Sequence, residues 1–171
     1  MSMDPQTSSR TWKNHCWTCT HLSNLTKLSL NGRGPILVPS DLEYAFSYGM
    51  AATLVKLQEL HISHCCNMKV VVEQVHDSEI KANEVVSFPC LKSLQLVNLW
   101  SLKGFCLGSD LAFEWPSLHT LEITECPEMT VFTNGQSTTP MLKVIKTRMG
   151  LCEATEDLSS FVRTKLQEVG L

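Results

Sequence analysis

The chain has little of what several partner classes require. Positive charge is not in surplus: 14 Lys and Arg stand against 17 Asp and Glu, for a net charge of -3. With a pI near 6.0 there is no basic field to attract nucleic acid or an anionic membrane. No run approaches the roughly 18 apolar residues of a membrane span, and the polar stretch from Met1 to Lys13 has no signal-peptide h-region. If Met1 is the native start, the chain is expected in the cytoplasm with its eight cysteines as reduced thiols. A G-x-x-x-x-G-K-[ST] phosphate cradle is missing too, since Gly32-Arg33-Gly34 has neither the spacing nor the lysine. No cofactor is implied. What is present is 171 residues, 43% of them hydrophobic, which is enough for one sizeable packed domain and too apolar for wholesale disorder.

Three segments superimpose column for column: Leu57-x-x-Leu60-x-Ile62-x-x-Cys65-x-x-Met68-x-x-Val71, Leu91-x-x-Leu94-x-Leu96-x-x-Leu99-x-x-Leu102-x-x-Phe105, and Leu118-x-x-Leu121-x-Ile123-x-x-Cys126-x-x-Met129-x-x-Phe132. Such a recurrence argues that each segment is one turn of a leucine-rich-repeat solenoid. The first part of the ladder alternates with period two, so Leu60 and Ile62 point inward while Glu59, His61 and Ser63 point out of a short strand. Beyond it the apolar period lengthens to three, which suits a 3₁₀-like or irregular turn. No repeat buries this face alone; stacked neighbours do. The expected fold is therefore α/β: a leucine-rich-repeat solenoid with short parallel strands on a concave face, an irregular or 3₁₀ convex side and a C-terminal capping helix.

Weaker ladders extend the pattern. Leu25-x-x-Leu28-x-Leu30 matches the strand half, and Leu42 to Phe46 resembles the closing half, with residues 31–41 inserted between them. Leu142-x-x-Ile145 opens a fifth ladder whose next column is Thr147. Pro89, Pro116 and Pro140 each stand two residues before a first ladder leucine, ending the convex segment and delivering an extended chain into the next strand. Phe88 and Trp115, just before two of these prolines, are expected to plug the convex side of the core. Residues 42–56 carry an approximate helical stripe, and residues 74–86 read as a solvated loop. Leu158, Phe161, Val162, Leu166 and Val169 recur at helical spacing after Asp157 or Thr155 as N-cap, with Gly170 as the stop. The domain reading is a poorly ordered lead-in over 1–21, a solenoid over 22–150 and a C-terminal capping helix over 151–171.

Two clusters carry reactive side chains. His15, Cys16, Cys19 and His21 include thiolate and imidazole ligands, but four ligands within so short a stretch leave little backbone to fold around zinc. A redox role for this Cys-x-x-Cys lacks a surrounding βαβ pattern, and no metal is assigned. His61, His64 and Cys66 lack an orienting third group and an oxyanion site, so no catalytic residue is assigned either. Cys65 and Cys126 share a ladder column, where a thiol acts as a small buried hydrophobe. Asn24-Leu25-Thr26 is a glycosylation sequon set against the stack, expected to stay unused in a chain with no signal peptide.

The outward strand positions carry the binding chemistry. Stacking places Ser29, His61, Gln95, Glu122 and Lys146 in one column. Lys27, Glu59, Ser93, Thr120 and Val144 flank it on one side, and Asn31, Ser63, Val97, Thr124 and Arg148 on the other. Apart from Asn31 and Val144, these residues form the expected protein-binding concave face. A rigid sheet suits such a role because little is left to order on contact.

Leu57 to Cys65 followed by Asn67 to Val72, the Phe88-Pro89-Cys90-Leu91 entry, and Trp115-Pro116-Ser117-Leu118 running on to Cys126 and Met129 together resemble a known group. So do Phe132 to Leu142 and the ending Asp157 to Leu166. The resemblance, over roughly residues 22 to 169, is to the C-terminal repeats of plant coiled-coil nucleotide-binding leucine-rich-repeat disease-resistance proteins. It implies a non-catalytic protein-recognition module of innate immunity. The implied partners are a pathogen effector, a guarded host protein, or upstream receptor domains held inactive. The competing reading is a stand-alone leucine-rich-repeat adaptor or scaffold in ubiquitin ligation or signalling. An F-box-like helical segment would favour that reading, and residues 1–21 show none.

Overall fold

Strands form where the ladder alternates, and they pair in the register that the ladder demands. The computed structural model describes residues 22–34, 41–74, 84–108, 111–155 and 157–166; the N-terminal lead-in and most of the two insertions lie outside them. One six-stranded sheet runs β1 (Lys27–Asn31), β3 (Glu59–Ser63), β6 (Ser93–Val97), β8 (Thr120–Thr124), β10 (Val144–Thr147) and β11 (Gly150–Glu153). The first five strands are parallel, with Leu28, Leu60, Leu94, Leu121 and Ile145 as successive register partners. A slip of one residue would turn each of these side chains to the opposite face, so burial of this column fixes the register. Every ladder position of the three firm segments is buried.

The far side of the stack differs from the irregular or 3₁₀ path expected. Its described residues include two further parallel sheets. One pairs β2 (Tyr44–Ser47) with β4 (Val70–Glu73), and the other runs β5 (Val85–Ser87), β7 (Ala112–Glu114), β9 (Ser137–Thr138). Between them the backbone of Phe105 accepts from Val71 and Val72 and donates to Phe132. The closing residues are valines and aromatics, which suit a pleated half-buried surface, and stacked turns offer each extended segment a backbone partner. The helix expected within 42–56 is reduced to one turn, α1 (Tyr48–Ala51), capped by Ser47. β2 replaces its first half because Tyr44 and Phe46 pair with Val70 and Val72.

Between the sheets, Phe88, Phe105, Phe113, Trp115 and Phe132 form one aromatic cluster, as expected for Phe88 and Trp115. Phe88 lies parallel to Trp115 with centroids 6.2 Å apart, and Phe113 lies nearly parallel to it at 5.4 Å. Trp115 is wholly buried and its indole N–H has no partner among the described residues. The hydrophobic body of the indole therefore outweighs one orphaned donor.

Thr147 marks where the repeat pattern changes. It keeps its ladder column, buried opposite Ile123, yet its hydroxyl donates to the Gly150 carbonyl and accepts from the Met149 amide. Those bonds hold a tight turn that sends β11 back antiparallel to β10. Residues 151–153, which the sequence groups with the helix, thus complete a strand instead. The helix follows as α2 (Leu158–Phe161), continuing through a wider turn over Val162–Leu166. Its Leu158, Phe161 and Val162 enter the common core, and Ser159 exchanges hydrogen bonds with the Thr133 backbone.

Asp157 is the N-cap. Its carboxylate accepts from the Ser160 hydroxyl at 2.6 Å and from the amides of Ser159 and Ser160 at 2.9 and 3.2 Å. These bonds, the Ser160 hydroxyl first, hold its pKa below 3.8 despite some desolvation. A lowered carboxylate pKa stabilises the fold above the unfolded value and loses that contribution as pH falls through the folded one. Asp157→Ala is expected to cost about 1 kcal/mol at neutral pH and less in strong acid, where the carboxyl is protonated. Urea titrations of both chains at pH 7 and at acid pH provide the check; equal stability at pH 7 would refute the capping role.

Candidate functional site

The outward positions fall where stacking puts them. Ser29, His61, Gln95, Glu122 and Lys146 are successive register partners in the central column, and Lys27, Glu59, Ser93, Thr120 and Val144 in one flanking column. On the other side Asn31, Ser63, Val97 and Thr124 are partners. Arg148 lies just beyond β10 and is exposed.

Ser63 is the correction. It is 2% exposed and its hydroxyl has no partner among the described residues, so it is not available at the surface as expected. Its short side chain stands between the larger Asn31 and Val97 of the adjacent strands, at the point where the chain turns under through His64. The remaining candidates keep partial or full exposure.

The charges of this face are matched across strands. Lys27 meets Glu59 at 2.8 Å, Lys146 meets Glu122 at 3.0 Å, and Arg148 meets Glu125 at 3.5 Å. The Lys27–Glu59 and Arg148–Glu125 pairs are exposed and contribute little to stability, about 0–1 kcal/mol each, while Glu122 is the more buried partner of its pair. The consequence of the three pairs is a face with no strong field of either sign. Half-buried His61 and Gln95 lie at its centre, among Ser29, Ser93, Val97, Thr120 and Thr124. It offers hydrogen-bond donors and acceptors at fixed spacing, the chemistry of a protein contact.

Three residues missed in the sequence shape the rim. His64, Asn98 and Glu125, each directly after a strand, have φ of 56, 54 and 53°. The recurrence of this left-handed residue at one repeat position turns each strand sharply toward the core. Asn98 and His64 carry a compositional hint of it, since asparagine and histidine are enriched in that conformation, and Glu125 carries none. Gly32 faces the first of these turns, where an added Cβ would lie 2.1 Å from the His64 carbonyl oxygen. Beside the third turn lies a groove of about 380 Å³ lined by Trp100, Pro127, Met149, Lys165 and Leu166 among others. Trp100 occupies a non-ladder position and is 54% exposed. Leu166 lay on the expected helical stripe, but the hairpin that completes the groove was not legible.

Cys66 directs its thiol at the His64 carbonyl, not at an imidazole. Among the described residues no three His, Cys, Asp or Glu gather as a metal site. The cluster of His15, Cys16, Cys19 and His21 lies outside those residues. Cys65 and Cys126 are buried as the shared column requires, and the Cys126 thiol donates toward the Leu96 and Thr124 carbonyls at 3.6 and 3.5 Å. Asn24 of the sequon is exposed and accepts from Lys56. No helix among the described residues is long and apolar enough to cross a membrane.

Comparison with known proteins gives one match. Residues 3–138 correspond to the family described as plant disease resistance protein RPS2-like, leucine-rich repeats. No curated protein and no solved structure matches the chain. The matched stretch holds β1 through β9, while β10, β11 and α2 lie beyond it. Stacked parallel strands, the recurrent ladder and this match agree, and the chain belongs to the RPS2-like leucine-rich repeats of plant disease resistance proteins.

Proposed function

We propose that this chain is the protein-recognition module of a plant innate-immune receptor, working in the cytoplasm and without catalysis of its own. Its turns form a leucine-rich-repeat solenoid over residues 22–150, with the C-terminal helix as cap. The concave face contacts a pathogen effector or a guarded host protein, or holds upstream receptor domains inactive.

One observation carries the reading: His61, Gln95 and Glu122 stand side by side on three hydrogen-bonded parallel strands. Side chains held at strand spacing on a sheet lose little freedom when a partner docks. Charge neutralised in pairs across the face leaves specificity to shape and hydrogen bonding.

The test substitutes His61, Gln95 and Glu122 together by alanine. Proteins retained from plant extract by the immobilised variant are compared with those retained by the parent chain, with circular dichroism as the check on folding. Partners held by the parent and lost by the folded variant are the expected result. Equal retention by both would clear the concave face of the role.

A further inference from the structure

We propose that β11 is a self-association edge, at which two copies of this chain pair antiparallel about a two-fold axis through Cys152. Ala154 donates to the Lys143 carbonyl and Cys152 is the register partner of Ile145, so alternate residues of β11 face β10. Leu151 and Glu153 therefore turn their N–H and C=O groups away from the sheet, and among the described residues nothing accepts or donates to them. An open edge is usually blunted by charged side chains, above all lysine, by proline, by a bulge or by being very short. Gly150–Glu153 is short and carries Glu153, but it has neither lysine nor proline. Instead Leu151 is 76% exposed and Met149, at the turn, 72%.

The occupant follows from self-complementarity. An axis through Cys152 sets Leu151 of each copy opposite Glu153 of the other, and both residues direct donor and acceptor outward, so every free edge group of the strand is used. The two Leu151 side chains then occupy diagonal positions on one face, about 7–8 Å apart at the backbone and within reach of each other. Each Glu153 falls in the row leading through Leu151 of the second copy to its Lys146, so this row joins opposite charges. The two Cys152 residues become a non-hydrogen-bonded pair with Cα atoms about 4.5 Å apart, inside the range that a disulfide spans. Those thiols report the register.

The experiment is sedimentation of the full chain over a concentration series, with Leu151→Lys as the variant. The parent chain is expected to show a monomer–dimer equilibrium, and the variant, with an unchanged circular dichroism spectrum, a dissociation constant weaker by roughly tenfold or more. Mild oxidation of the parent dimer, followed by peptide mass mapping, requires no variant and should give a Cys152–Cys152 cross-link. A parent chain that stays monomeric at every soluble concentration, leaving the edge to a strand from a different protein, overturns the proposal. So does a dimer that survives Leu151→Lys and cross-links through other cysteines only.

Discussion

Phe105→Ala is expected to destabilise the chain by about 3–5 kcal/mol, the largest effect of any single truncation of the aromatic cluster. Phe105 is its hub. The ring stacks on Phe132 at 5.4 Å and meets Phe88, Phe113 and Trp115 edge to face at 6.2, 5.7 and 5.6 Å. It is fully buried, and its backbone carries the hydrogen bonds that link the turn of Val71 to that of Phe132. Removing the ring opens a cavity that four rigid aromatics cannot collapse into without leaving their rotamers, so both the transfer and the cavity contributions apply in full. Against a total stability of about 5–15 kcal/mol for an ordinary domain, a loss of this size leaves a marginal fold. Phe105→Leu, which keeps most of the volume, should retain most of the stability. Urea denaturation of the two variants decides the matter; equal losses would show that the cluster is not packed around Phe105.

This ladder was legible because two periods coincide in it. Alternation at Leu60 and Ile62 can only be a half-buried strand, and repetition at Leu94 and Leu96 and again at Leu121 and Ile123 fixes which residues become neighbours. The central column from Ser29 to Lys146 followed from that register alone. The far side was harder, since a run such as Val70-Val71-Val72 or Tyr44-Ala45-Phe46 is short and apolar throughout, with no period to separate strand from turn. Its strands arise from stacking, which supplies backbone partners that local propensity does not announce. Ser63 was misplaced for a related reason: alternation gives the direction of a side chain but not whether Asn31 and Val97 stand taller beside it. Thr147 looked like the end of the ladder, whereas its hydroxyl builds the turn into β11. The helix was legible from its cap and stripe, because Asp157, Leu158, Phe161 and Val162 satisfy local rules and core packing together.

Alkaline pH should weaken this fold through its buried thiols, Cys126 above all. Burial pushes the Cys126 thiol from 9.0 up to about 12, and it raises those of Cys65 and Cys106 as well. Cys126 is 7% exposed, with Glu125 beside it disfavouring the thiolate further. Below pH 9 the thiol is protonated in both states and stability does not respond. Between 9 and 12 the unfolded chain has lost the proton while the folded chain keeps it, so stability falls as pH rises. By pH 10 the expected loss at Cys126 is on the order of 1 kcal/mol. Burial first, and then Glu84 bonded to Tyr48 and Glu73 beside Tyr44, raise these two phenols from 10.0 as well, so their losses begin at higher pH. Urea titrations between pH 8 and 10 therefore sample the thiols first. Cys126→Ala should begin from a lower stability at pH 8, because it vacates a ladder position, and then decline less steeply than the parent chain. Parallel declines of the two chains would mean that Cys126 ionises in the folded state as readily as in the unfolded one, and that the column holding Cys65 and Cys126 is wetter than its packing requires.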